Sequence, residues 1–283
     1  VRALRAGELD VCLSYPDEEL DELRQEGFVR ESTEATTLYV DMNPKAAPFD
    51  DPLVRKAFAL AVDARAVLQA AEVPGAVPAD ALTPPGIAEG ETSFYVPGRQ
   101  GFAPQEERTE EARALLAQAG YPGGEGFPEV AFLVTEQEAD TGLADALCRA
   151  WEEGLGVRVH AVEGERLEVL DDRLAGEFQM ARGTFFNVYG DAQALWDMEN
   201  RLLQSVRESE ALSAALEDVY RAGDEQERFE ALHRIEEIAL DEAVCIPVYF
   251  FRYVWLCQPD IAGATYVPAG DLLLQGAHRE AQK

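Results

Sequence analysis

Between residues 129 and 181 the apolar residues switch repeatedly between the period of a strand and the period of a helix, and this alternation constrains the fold more than any other feature of the chain. Val130 to Val134 is a short apolar run. Leu143, Leu147 and Trp151 then mark a helix face, and Val157, Val159 and Ala161 alternate as a second strand. Glu165 to Leu174 reads as a helix around Leu167 and Leu170, and Phe178 to Ala181 as a third strand. The pattern is βαβαβ, so the strands are expected to be parallel, with crossover helices packed on the sheet. The fold class is α/β. In open α/β sheets ligands bind outside the carboxyl ends of the strands, which directs attention to Arg182 to Asp191, RGTFFNVYGD.

Around this core the punctuation is regular. Asp51 before Pro52 is an N-cap followed by proline, and Val54, Ala57, Phe58, Ala61 and Val62 recur at helical spacing. Thr109 with Glu110 and Glu111 opens another expected helix, with Ala112, Leu115, Leu116 and Ala119 as its stripe and Gly120 as its stop. Between them Pro74 to Gly101, rich in Pro and Gly, reads as an irregular surface segment. Two later helices are expected, one around Leu212, Leu216 and Val219, the other capped by Asp224 and carrying Phe229, Leu232, Ile235 and Ala239. Cys245 to Leu256 reads as strand. The opening VRALRAGELDV reads as the end of a helix running into a strand, which suggests a truncation ahead of residue 1.

Composition removes several function classes. The 283 residues include 24 Lys and Arg against 54 Asp and Glu, a formal net charge of −30. A field of that sign repels phosphate backbones and anionic lipid surfaces, so no nucleic-acid partner is expected; it suits solubility, a salty habitat or cationic ligands. No run of about 18 apolar residues exists, and the longest candidate, Ala243 to Cys257, is broken by Arg252. Any membrane contact is expected only through an anchor upstream of residue 1.

Catalytic and metal motifs are missing from the sequence. There is no GxSxG, HExxH or phosphate loop. Cys12, Cys148, Cys245 and Cys257 lack CxxC spacing and nearby His, so neither a metal nor a cofactor is expected. Cys148 lies on an apolar helix face; Cys245 and Cys257 flank an aromatic run and face each other if that run is a hairpin. His160 and His278 have no carboxylate or cysteine at ligand spacing, and His233 falls on an expected helix dominated by charge. The neighbouring acids Glu110 and Glu111, Glu152 and Glu153, Asp171 and Asp172, and Glu236 and Glu237 fall on expected helices, where adjacent side chains diverge, and read as solvated faces.

Five segments in register resemble the oligopeptide, dipeptide and nickel-binding family of solute-binding proteins. They are RAGELDV at Arg5 to Val11, NPKAAPFDDPLVRKAFALAVDARAVL at Asn43 to Leu68, EEARALLAQAGYP at Glu110 to Pro122, LAGEFQMARG at Leu174 to Gly183, and CIPVYFF at Cys245 to Phe251. The resemblance implies a type II periplasmic-binding-protein-like lobe from residue 36 to 251. Residues 1–35 and 252–283 would then be two segments of an incomplete second lobe. It also implies the ligand-capturing component of an ABC importer outside the cytoplasm, in the periplasm or as a cell-surface lipoprotein. Such a component takes peptides or a related small polar solute, works with the importer's permease subunits, and performs no catalysis. The rival reading is the sensor domain of a transcription regulator, with a helix-turn-helix upstream.

Arg182 matches an arginine at the family's ligand cleft, where a guanidinium holds a carboxylate or carbonyl bidentately; an ordinary salt bridge is the alternative. Phe185, at a position often tryptophan in the family, offers apolar surface with Phe186 and Tyr189, or packs in the core. Thr184 and Asn187 complete the candidate set, Asn187 either bonding a ligand backbone or holding the turn. The family's peptide-binding members place an aspartate in this loop against the ligand's ammonium group, and the alignment puts Val188 there. Either the ligand lacks a free amino terminus, or Asp191 takes that role.

Overall fold

The computed structural model describes residues 1–73, 75–97, 105–139, 142–187, 189–199, 208–267 and 270–280. Its main sheet is built from β1 (Val11–Cys12), β2 (Val29–Met42), β3 (Val77–Pro78), β4 (Val130–Thr135), β5 (Val159–Gly164), β6 (Met180–Phe186) and β7 (Cys245–Cys257). The order across the sheet is β1-β7-β2-β6-β4-β5, with β3 also on β7. β4 pairs in parallel with both β5 and β6, so the βαβαβ unit stands as the periodicity implies. β2 joins it antiparallel to β6, and β7 lies antiparallel to β2.

The helices that pack on this sheet and around it include α1 (Pro52–Ala61), α2 (Ala64–Ala70), α3 (Gln105–Gln118), α4 (Leu143–Leu155), α5 (Arg166–Ala175), α6 (Gln193–Glu199), α7 (Glu210–Arg221) and α8 (Glu225–Asp241). The caps work as read: the Asp51 carboxylate accepts the Leu53 N–H, and that of Asp224 accepts the Glu227 N–H. One face of the sheet buries Leu38, Val40, Met42, Phe132 and Met180 against α1 and α4. There Trp151 lies over Phe58 and Phe132 with its indole N–H on the Phe58 carbonyl at 3.1 Å. The other face buries Tyr39, Phe185 and Trp196 with Leu212, Phe229, Leu232 and Ile235 from α7 and α8.

Several expectations are corrected. α3 begins at Gln105, not at Thr109; the Thr109 hydroxyl bonds back to the Gln105 carbonyl at 2.9 Å, as a helix-interior threonine does. Gln105 and Arg108 have a use of their own, reaching the last carbonyls of α1 at Ala59, Leu60, Ala61 and Val62. In α5 the inward face is Val169 and Arg173, while Leu167 is 72% exposed and Leu170 39%. The helix is rotated because Arg173 reaches down to the Tyr39 hydroxyl at 3.0 Å and to the buried Asp41 at 3.7 Å. A polar anchor has outweighed the count of leucines.

The segment expected to be irregular surface between residues 74 and 101 is partly sheet and partly core. Its described residues supply β3, the short hairpin of Ala88–Glu89 with Thr92–Ser93, and buried Leu82, Ile87 and Phe94. Residues 74 and 98–101 fall outside the described part. Glu236, read as solvated, is buried, and its carboxylate accepts the Leu82 and Thr83 amides at 2.8 and 2.7 Å. Cys245 and Cys257 are not on facing strands: they end the same 13-residue strand, about 40 Å apart at roughly 3.3 Å per residue. None of the four cysteines is in a disulfide, and burial pushes the Cys148 thiol up to about 11.

The remaining chain surrounds the far ends of β2 and β7. Leu4, Leu23 and Leu256 form one small cluster, and Trp255, Cys257 and Tyr266 another. Ile261–Ala262 pairs with His278–Arg279, and Thr265–Val267 with Asp271–Leu273. Between these ends and the main core the ladder of β2 and β7 is interrupted. Thr33 pairs with Arg252 and Thr37 with Phe250, so Glu34, Ala35 and Thr36 stand opposite Phe251 alone.

Candidate functional site

Four of the sequence-picked residues, Arg182, Thr184, Phe185 and Phe186, lie in strand β6 and not in the loop expected after it. Gly183 has a packing role in that strand. The ring of Tyr39 lies directly on it, where any added methyl group would collide. The strand continues because β2 pairs with it throughout, from Met42 opposite Met180 to Thr36 opposite Phe186.

Strand alternation then sorts the candidates. Arg182, Thr184 and Phe186 share one face of β6, opposite Val40, Leu38 and Thr36 of β2. Arg182 and Phe186 are half-buried and Thr184 is exposed. Phe185 is on the other face, 1% exposed within the cluster around Tyr39 and Trp196.

The loop after β6 is stabilised from within. Asn187 is buried; its side-chain carbonyl accepts the Tyr189 and Gly190 amides at 3.1 and 2.8 Å, and its NH2 group donates to the Asp191 carbonyl at 2.7 Å. This is the turn-holding alternative for Asn187. Tyr189 is 75% exposed. Asp191 is taken up by Arg228 of α8, which donates to both carboxylate oxygens at 3.0 and 2.8 Å, while the Gln193 N–H donates to one of them. Burial alone would raise the Asp191 carboxyl, but the hydrogen bonds from Arg228 and Gln193 and the charge of Arg228 outweigh it and hold it below the usual carboxylate range. Val188, aligned with the ammonium-binding position, lies outside the described residues.

Three features were missed by sequence reasoning. One is the pairing of Arg228 with Asp191, made across 37 residues. Another is the aromatic group beyond the β2 bulge: Tyr253 and Tyr266 stack at 4.0 Å with an 11° interplanar angle, next to Trp255. The hairpin that carries Tyr266 also carries Gly270, which sits against the ring of Phe186. The third is a cavity of about 610 Å³ beside the first half of β7, lined by Lys56, Asp63, Val77, Asp80, Tyr95 and Ile246 among others. No contiguous signal marks it, since its walls come from α1, α2, β3 and β7. His233 bonds Glu89 at 2.8 Å and stacks on Phe94, and His160 lies 3.4 Å from Glu129. Among the described residues no group of three or more His, Cys, Asp or Glu is arranged to hold a metal, and no helix is long and apolar enough to cross a membrane.

A lobe with a βαβαβ core, helices on both faces and two long strands leading out of it defines a solute-binding-protein fold. Residues 1–200 match bacterial extracellular solute-binding proteins, family 5 Middle, and the chain belongs to that family. It is 28% identical over 279 residues to the periplasmic oligopeptide-binding protein OppA of Salmonella typhimurium, covering 94% of this chain and 49% of that protein. It is 25% identical over 280 residues to the dipeptide-binding protein DppE of Bacillus subtilis, covering 97% of this chain and 51% of that one. The chain thus spans about half the length of the curated relatives it matches. The solved structure of the periplasmic murein tripeptide binding protein MppA, in its unliganded open form, superposes with a TM-score of 0.83 at 22% identity, over 98% of this chain and 54% of that one.

Proposed function

We propose that this chain is the carboxyl-terminal part of the solute-binding component of an ABC importer, capturing peptides or a related small polar solute outside the cytoplasm and presenting them to the permease subunits. Its relatives are named as binding proteins for oligopeptides and dipeptides. In this reading residues 36–251 form one lobe, residues 1–35 and 252–283 belong to the other, and the lobes close on the solute by bending where β2 and β7 cross. The interruption of the β2–β7 ladder between Thr33 and Thr37 supports that division.

One observation carries the assignment of the site. Arg182, Thr184 and Phe186 form a row of charged, hydroxyl and aromatic side chains on one face of β6, leading to the point where the two long strands leave the lobe. Such a row suits an extended solute with a polar backbone and variable side chains. Asn187 acts as the turn holder, Phe185 as packing beneath the row, and Asp191 as the fixed partner of Arg228; Tyr189 remains an exposed surface for solute contact.

The test is calorimetry on the full-length protein with a panel of short peptides, before and after Arg182→Ala. We expect binding in the micromolar range or tighter, and a loss of about 1–3 kcal/mol in the variant with an unchanged melting temperature. A panel that fails to bind overturns the function; unchanged affinity with a clear fall in melting temperature overturns the role of Arg182. Assaying the same panel for cleavage would reveal a catalytic activity.

A further inference from the structure

The acids around the crossing strands are nearly all spoken for. Glu31 is held by Arg24 and Arg252, Asp191 by Arg228, and Asp10 and Asp260 by Arg279. Glu34 differs. It is half-buried, and among the described residues its carboxylate has no cationic partner; it accepts one hydrogen bond, from the Thr36 hydroxyl at 3.1 Å.

Its position is equally specific. Glu34 is the first of the three bulged residues of β2. Its bond to Thr36 puts the two side chains on the same side, and Thr36 lies opposite Phe186, in line with Thr184 and Arg182. The Asn187 N–H donates to the Ala35 carbonyl at 2.7 Å, which brings the start of the loop after β6 alongside. Aromatic surface stands close by. The Tyr266 hydroxyl is pushed up to about 12, first by burial and then by the negative charge of Glu34, so the two groups feel each other. Tyr266 stacks on Tyr253, and its hairpin rests on Phe186.

We propose that Glu34 is the acceptor for a primary ammonium group of the solute, at the end of the row begun by Arg182, with the rings of Phe186 and Tyr266 as its walls. A carboxylate beside aromatic faces is the chemistry that selects a small cation. The proposal rests on the receptor reading above and adds its charge specificity, which Asp191 is not available to provide. The ammonium comes from a peptide's amino terminus or from a lysine side chain.

The experiment is calorimetry on the full-length protein with three probes: trialanine, N-acetyl-trialanine and N-acetyl-lysyl-alanyl-alanine. We expect at least one of the two ammonium-bearing peptides to bind tenfold or more tightly than N-acetyl-trialanine, and the one that does identifies the source of the group. Glu34→Gln should bring that peptide down to the level of N-acetyl-trialanine, whose own affinity stays within about twofold, while Asp191→Asn keeps the preference. The melting temperatures of both variants report folding directly. A tenfold preference that survives Glu34→Gln, or is lost in Asp191→Asn, overturns the assignment. Three peptides that bind alike overturn the ammonium site and leave the receptor reading standing. Three that do not bind overturn both.

Discussion

At the scale of single residues the pairing of Asp191 with Arg228 has a pH signature. The folded-state carboxyl is depressed, so the stability it contributes is present above the unfolded value, near 3.9, and is lost as pH falls through the folded value. Asp191→Asn keeps an oxygen for the Gln193 N–H and removes only the charge. We expect it to cost about 1 kcal/mol or less at neutral pH, since the pair is partly exposed and screened, and progressively less as pH falls below the unfolded value. Urea denaturation of both proteins in steps from about pH 7 into the acid range measures this, and a cost that does not diminish as pH falls would assign the effect to packing. At this scale the sequence was readable where a residue acts with its neighbours. Asn187 as a turn holder is such a case, with its partners within four positions. Glu34 was not readable, because its half-burial and the absence of a cationic partner among the described residues depend on pairings made with segments over a hundred residues away.

At the scale of elements, β6 and α8 show what local pattern contains and what it lacks. The periodicity located β4, α4, β5 and α8, whose burial follows from their own apolar spacing. It stopped β6 too early, because continuation through Arg182, Gly183 and Thr184 is decided by β2 and by the space Tyr39 needs. It also placed Glu236 in solvent, because the amides that claim it lie 154 and 153 residues away. Two variants test these readings by thermal unfolding. Gly183→Ala should destabilise by about 1–3 kcal/mol, as overpacking does, since the Tyr39 ring is held from its other end by Arg173. Glu236→Ala should cost about 3 kcal/mol by leaving two buried amides unsatisfied, and Glu236→Gln, which retains an acceptor, clearly less. Equal effects of Ala and Gln would show that the acceptor is not what matters.

For the molecule as a whole the distribution of buried apolar residues is uneven. Both faces of the main sheet are covered by extensive clusters, whereas the segments at the two chain ends are held by clusters of only three fully buried residues each. Local opening follows that distribution. In this chain, amides of β4, β6 and α4 should exchange with deuterium at least a hundredfold more slowly than those of Thr265–Val267 and His278–Arg279. Uniform protection would instead make the chain a single cooperative unit.

The interrupted ladder also determines how force passes through the molecule. An unbroken antiparallel pair loaded along its strands resists in shear, with every hydrogen bond sharing the load at once. Here Val29 to Thr33 against Arg252 to Leu256 is one bonded stretch, and Thr37 to Asp41 against Cys245 to Phe250 is another. Glu34, Ala35 and Thr36, which have no regular partners on β7, separate them, so the compliance of this strand pair is greatest there. Each stretch can tilt as a stiff plate without rupturing a bond in the other. A smaller register shift between Leu38 and Tyr39 lies within the second stretch, but the wider gap is where the two plates meet, and a carboxylate sits in it. A cation drawn to it therefore acts at the place where the least work turns one plate against the other.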